Sequence, residues 1–212
     1  MKTQSTFIAI LGFYFFLALL GATGQANAQG GTDPFYSGYK AYLKKDYSKA
    51  LIYWEPLAEN GNPNAQYFLG IMFLNGQGVI KNLVEAGRWF NASAQQGDVG
   101  AQYFIGEMNL KGMGMAQNYR RAGAWFKKAA EQGYPDAQLQ LGEWFADGKG
   151  GVTNKKFAYV WLKLAGANGI QAADEKRKQV ETQLTEQEIR DAKHLAYQWW
   201  IGFEQGKNNE RP

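Results

Sequence analysis

Apolar positions between residues 64 and 171 recur on a step of 36. Asn64-Ala65-Gln66-Tyr67-Phe68-Leu69-Gly70 returns as Gly100-Ala101-Gln102-Tyr103-Phe104-Ile105-Gly106 and as Asp136-Ala137-Gln138-Leu139-Gln140-Leu141-Gly142. The same offset relates Gly76 to Gly112 and Gly148, Gly78 to Gly114 and Gly150, and Asn82 to Asn118 and Asn154. It also relates Ala86 to Ala122 and Ala158, Trp89 to Trp125 and Trp161, and Gly97 to Gly133 and Gly169. Ala65, Leu69, Gly70 and Phe73 fall at helical spacing, and Ala86, Trp89, Phe90, Ser93 and Ala94 form a second stripe at i, i+3, i+4, i+7 and i+8. Gly70 presents no side chain, which predicts close approach of a neighbouring helix. Gly76-x-Gly78 ends the first helix, Asn82 caps the second, and Gly97 stops it. One unit thus reads helix, Gly-rich loop, helix, turn. Neither helix can bury its stripe alone, so the units must stack. The fold class that follows is all-α, an α-solenoid of stacked antiparallel helix pairs, with Trp89, Trp125 and Trp161 expected in its core.

The flanks extend this picture. Asp33-Pro34 reads as a cap with Pro at the first helical position. It opens a degenerate first unit whose helices are predicted over 34 to about 44 and about 47 to 60. Asp46, Ala50, Tyr53, Ala58 and Gly61 fit the repeat columns there, but the Gly-x-Gly loop is missing. Pro56, inside the second of those helices, predicts a kink. After the last repeat, a charge-rich helix is predicted from 172 to about 183. Thr185 and Glu188 form a capping box that opens a helix with Ile189, Ala192, Leu195, Ala196 and Trp199 on one stripe. That stripe suits a lid over the last repeat.

Composition places the chain among globular proteins, with 45% hydrophobic and 20% charged residues. The net charge of +4 comes from interspersed acids and bases, so no nucleic-acid partner is expected. The absence of cysteine removes disulfides, thiol catalysis and Cys-ligated zinc. Lys2 precedes an uncharged run from Phe7 to Leu20, which is shorter than the roughly 20 residues of a membrane span. Ala26-Asn27-Ala28 then gives an A-x-A cleavage site, so residues 1–28 read as a secretory signal peptide cleaved after Ala28. The expected location is the periplasm or the extracellular space. The resulting organisation is a leader over 1–28, a first unit over 29–63, and repeats over 64–99, 100–135 and 136–171. Capping helices over 172–205 and a polar, disordered tail over 206–212 complete it.

The pattern A-Q-x-x-L-G-x-x-[FY]-x-x-G-x-G, followed by N-x-x-x-A-x-x-W-[FY]-x-x-[AS]-A-x-x-G, resembles the Sel1-like repeat, a longer-looped relative of the tetratricopeptide repeat. The first unit is more similar to an ordinary tetratricopeptide repeat. Met115 and Gly151 depart from the pattern, replacing the Val found after Gly-x-Gly. The resemblance implies a non-catalytic adaptor that binds a protein or peptide along a groove lined by the first helix of each pair. Carrying the register through Leu69-Gly70 puts Phe35, Tyr39, Tyr67, Ile71, Tyr103, Glu107, Glu143 and Asp147 on that groove. One end is then aromatic and the other acidic, an arrangement suited to an extended peptide with an apolar end and a basic end. The competing reading packs the tyrosines between repeats.

Little else carries chemistry. Ser37 and Lys40 match S-x-x-K, the basis of an alternative reading as a cell-wall or β-lactam-acting hydrolase, but the companion motifs S-D-N and K-T-G are missing. His194, the single histidine, has no nucleophile or ligand set beside it in sequence. No metal-ligand spacing occurs, and no cofactor is expected. A third possibility is a structural subunit of an envelope complex.

Overall fold

The computed structural model describes residues 33–149, 151 and 153–206. The leader and its cleavage site lie outside the described residues, as do residues 207–212 of the tail. Ten helices follow in order among the described residues, with no strand. They are α1 Pro34–Leu43, α2 Tyr47–Glu59, α3 Pro63–Asn75, α4 Leu83–Gln95 and α5 Val99–Lys111. Then come α6 Tyr119–Glu131, α7 Pro135–Asp147, α8 Lys155–Ala167, α9 Gln171–Glu181 and α10 Glu186–Gly206. The first nine helices each pack on the next: α1 on α2, α3 on α4, α5 on α6 and α7 on α8 within units, α2 on α3, α4 on α5 and α6 on α7 between them, and α8 on α9, whereas α10 folds back onto α8. This is the all-α solenoid that the period of 36 predicts.

The caps follow from local chemistry. The side chains of Asn82, Asn118 and Asn154 accept hydrogen bonds from backbone N–H groups in the first turns of α4, α6 and α8. Gly76, Gly112 and Gly148 close α3, α5 and α7 in the left-handed conformation, at φ near +70°. The second glycine of the loop has a further task. A Cβ on Gly114 would lie 2.4 Å from the carbonyl oxygen of Leu83, and one on Gly78 would lie 2.7 Å from Tyr47 Cβ. These two loops therefore sit directly on the first turn of the preceding unit's second helix. Helix α2 continues through Pro56 to Glu59 as one element, so the proline at which a kink is expected lies inside the helix and does not end it. Both Pro56 and Ile52, the residue whose carbonyl it leaves unbonded, are exposed, so water can satisfy that group.

The recurring glycine of each first helix is explained by a ring or branched side chain opposite it. A Cβ on Gly38 would meet Trp54 at 2.5 Å, on Gly70 Phe90 at 2.7 Å, on Gly106 Phe126 at 2.7 Å, and on Gly142 Leu162 at 2.7 Å. Trp54, Phe90, Phe126 and Leu162 are fully buried. This column, not the tryptophan column beside it, is the centre of each unit. Trp89 and Trp161 are buried near the surface, but Trp125 is only half-buried, with the Lys128 ammonium 4.5 Å from its ring centroid. The expectation that all three tryptophans are core is thus corrected at Trp125: Trp161 is covered by the Trp199 ring of α10, whereas the Lys128 side chain lies over Trp125 and leaves it part-exposed.

Buried glutamines join successive units. Gln66 donates to the carbonyl of Ala58 at 3.0 Å and accepts from the Gln96 amide at 2.8 Å. Gln102 repeats this with Ala94 at 3.4 Å and Gln132 at 2.7 Å, and Gln138 with Ala130 at 3.4 Å and Asn168 at 3.0 Å. Each glutamine bridges the end of the previous unit to the end of its own. At the C-terminus, Ala192 and Ala196 are buried against the last repeat, and the Trp199 ring packs at a tilt of 53° on Trp161, with centroids 5.1 Å apart. The Thr185–Glu188 capping box is formed, with Glu188 accepting from the Thr185 N–H and hydroxyl at 2.8 Å each. Those bonds hold the Glu188 carboxyl below its usual pKa.

Candidate functional site: a tyrosine and carboxylate row

Helices α3, α5 and α7 bring one set of polar and aromatic side chains together. Tyr67 lies over the first turn of α5, where a Cβ on Gly100 would come within 2.9 Å of its ring. Its ring centroid is 6.0 Å from Phe90 and 6.1 Å from Phe104. Tyr103 stands 5.9 Å from Phe126 and 5.2 Å from Tyr134. The rings of Tyr67 and Tyr103 thus have one side packed between units while part of each remains accessible. The packing between units that the competing reading expects is therefore present at both tyrosines.

The electrostatics join them. Burial pushes the Tyr67, Tyr103 and Tyr134 phenols well above their ordinary range. The Glu107 and Asp136 carboxylates add to the rise at Tyr103, and Asp98 adds to it at Tyr67. All three phenols therefore remain neutral hydrogen-bond donors at physiological pH. Burial also raises the Asp98 and Asp136 carboxyls, and at Asp136 the nearby Glu107 carboxylate acts in the same direction. Neither Asp98 nor Asp136 has an ion-pair partner among the described residues. Asp98 instead caps α5, accepting from the Ala101 N–H at 2.7 Å.

The remaining predicted groove residues fall differently. Phe35 and Ile71 are buried, Phe35 against Trp54 and Phe68, so they offer a partner little surface. Tyr39 packs edge-on against Phe68. Glu107 is buried and paired with Lys111. Glu143 is paired with Lys176 of α9 at 2.7 Å, and exposed Asp147 with Lys149 at 3.3 Å. The predicted acidic end is therefore largely neutralised, and beside the tyrosines stand Asp98 and Asp136, carboxylates with no ion pair among the described residues. Sequence reasoning missed those two and Tyr134. A signal was present: Asn62 and Asp98 cap their helices in the column where Tyr134 stands and makes no side-chain cap bond. Of the hydrolase candidates, Lys40 has its ammonium 4.5 Å from the Tyr36 ring centroid. His194 is exposed beside Gln198. Among the described residues no cluster could hold a metal ion, and no helix is long and apolar enough to cross a membrane.

The pattern of the Sel1 repeat matches residues 35–62, 63–98, 99–134 and 135–170, which includes the short-looped first unit. The chain belongs to the Sel1 repeat family. Repeats of this family generally mediate protein–protein interaction. A Sel1 repeat protein from Oxalobacter formigenes is similar at 31% identity and a TM-score of 0.66, covering 69% of this chain and 59% of that one. A protective antigen of uropathogenic Escherichia coli strains, c5321, with the SLR fold, is similar at 26% identity and a TM-score of 0.58. That match covers 84% of this chain and 48% of the antigen, so this Sel1 repeat protein spans about half to three fifths of both relatives.

Proposed function

We propose that this protein is a non-catalytic, exported scaffold that captures an extended protein segment along its first-helix face, with a basic residue of the partner engaging Asp136. The observation that carries the proposal is the row Tyr67, Asp98, Tyr134, Tyr103 and Asp136. It combines neutral phenol donors with two carboxylates that the fold leaves without cations. Keeping such groups partly buried costs stability, and a bound cation would offset that cost. Aromatic rings fixed by packing on one side give a partner contact area at little entropic loss. Export rests on the leader ending at Ala28. No observation favours hydrolysis through Ser37 and Lys40.

A photo-cross-linking residue at position 103, in whole cells, should trap a protein adduct, while one at exposed position 193 should not. Asp136→Asn and Tyr103→Phe keep shape and should weaken the adduct without loss of helical signal. Equal trapping from both positions, or adducts indifferent to both substitutions, would refute the reading. N-terminal sequencing of the cellular protein should begin at Gln29.

A further inference from the structure

The three junctions between and after repeats are built on one plan but are not filled alike. At α4 and α5, the methyl groups of Met115 and Met108 close over Gly87, 2.9 and 3.2 Å from where its Cβ would be. At α8 and α9, the same column holds Tyr159, whose fully buried ring fills the space itself. At α6 and α7 the column is Gly123, and the position equivalent to Met115 is Gly151. The Trp144 ring lies on Gly123, at 3.0 Å from its Cβ site. A groove of about 400 Å³ remains there, floored by Trp144 and Leu141 and walled by Tyr119 and Phe145. That volume is within the range of about 300–1,000 Å³ usual for ligand sites.

The rim of this groove is cationic. Arg120, Lys127 and Lys149 line it, and α6 carries Arg120, Arg121, Lys127 and Lys128 against the single carboxylate Glu131. Lys127 is paired with Glu131 and Lys149 with Asp147, while Arg120 is exposed and has no carboxylate partner among the described residues. Tyr119, 48% exposed, stands 6.3 Å from Trp144 at the groove's edge. We infer that this groove is a second docking site, for an acidic segment of a partner protein that inserts one large apolar side chain beside Trp144. The guanidinium of Arg120 would take a carboxylate in a two-pronged hydrogen bond, and the aromatic walls would hold the anchor. The site differs in place and in charge from the tyrosine and carboxylate row, and does not rest on the proposed function of that row.

The probe is a short fluorescein-labelled peptide of aspartates flanking one phenylalanine, titrated into the full-chain protein at physiological ionic strength and read by anisotropy. Saturable binding that moves the Trp144 indole N–H resonance is expected. Arg120→Glu with Lys127→Glu, both at exposed positions, should weaken it at least about tenfold while circular dichroism stays unchanged. Replacing the phenylalanine by glycine should weaken it similarly, whereas Asp136→Asn should leave it intact. Absence of binding, binding indifferent to the charge reversal or to the anchor, or loss through Asp136→Asn would overturn the inference. So would capture of phosphatidylserine vesicles through Arg120 and Lys127 by a protein that ignores the peptide.

Discussion

Replacing Gln102 by methionine keeps the side chain's length and removes both of its hydrogen bonds. The residue is 4% exposed, donates to Ala94 at 3.4 Å and accepts from Gln132 at 2.7 Å. The Ala94 carbonyl keeps a second donor, the Gly97 N–H at 3.1 Å, and the Gln132 amide can turn to water. Neither partner is left stranded, so the loss is that of two ordinary bonds, about 0.5–1.5 kcal/mol each. Methionine's greater apolar character returns part of this, leaving about 1–2 kcal/mol. For a body of this size that lowers Tm by roughly 2–8 °C, measured by circular dichroism or calorimetry. A double-mutant cycle with Gln132→Met should give a coupling of about 0.5–1.5 kcal/mol, because each substitution breaks the same bond. Unchanged Tm, or additive effects in the cycle, would refute the idea that the glutamines tie one unit to the next.

Other outcomes follow from the packing and the buried charges. Gly114→Ala, at φ +68° with Leu83 O only 2.4 Å from its Cβ site, should cost about 2–4 kcal/mol; Gly97→Ala, at φ +97° with open space, should cost only about 1–2 kcal/mol, both read by denaturant melts. Phe126→Ala should cost about 3–5 kcal/mol and Trp125→Ala clearly less, and equal losses would contradict the assignment of the inner column. Asp136 has its carboxyl raised in the fold, so it holds its proton more tightly folded than unfolded, and its ionised form costs stability above the raised value. Asp136→Asn should therefore stabilise the protein at neutral pH, and the gain should vanish as pH falls below about 4, where the carboxyl is protonated in both states.

The sequence by itself determined the helices, their caps and their stacking. Asn82 and Gly76 act on backbone groups within a turn of themselves, so their roles are written in the local order of residues. A period of 36 further states that positions are equivalent, and equivalence is enough for a solenoid. It does not state which equivalent positions meet. Gly70 faces Phe90 and not Trp89, because the angle between two helices chooses between neighbours that share one broad apolar stripe. Gln66 finds Gln96, and Glu143 finds Lys176, pairings that the equivalence of positions does not name. The candidate site shows the same division. Tyr67 and Tyr103 were legible from their columns, whereas Asp98, Tyr134 and Asp136 became part of the row only when α3, α5 and α7 were placed side by side. Which carboxylates stay without a cation is decided by the positions of lysines on other helices, and only the tertiary structure fixes those.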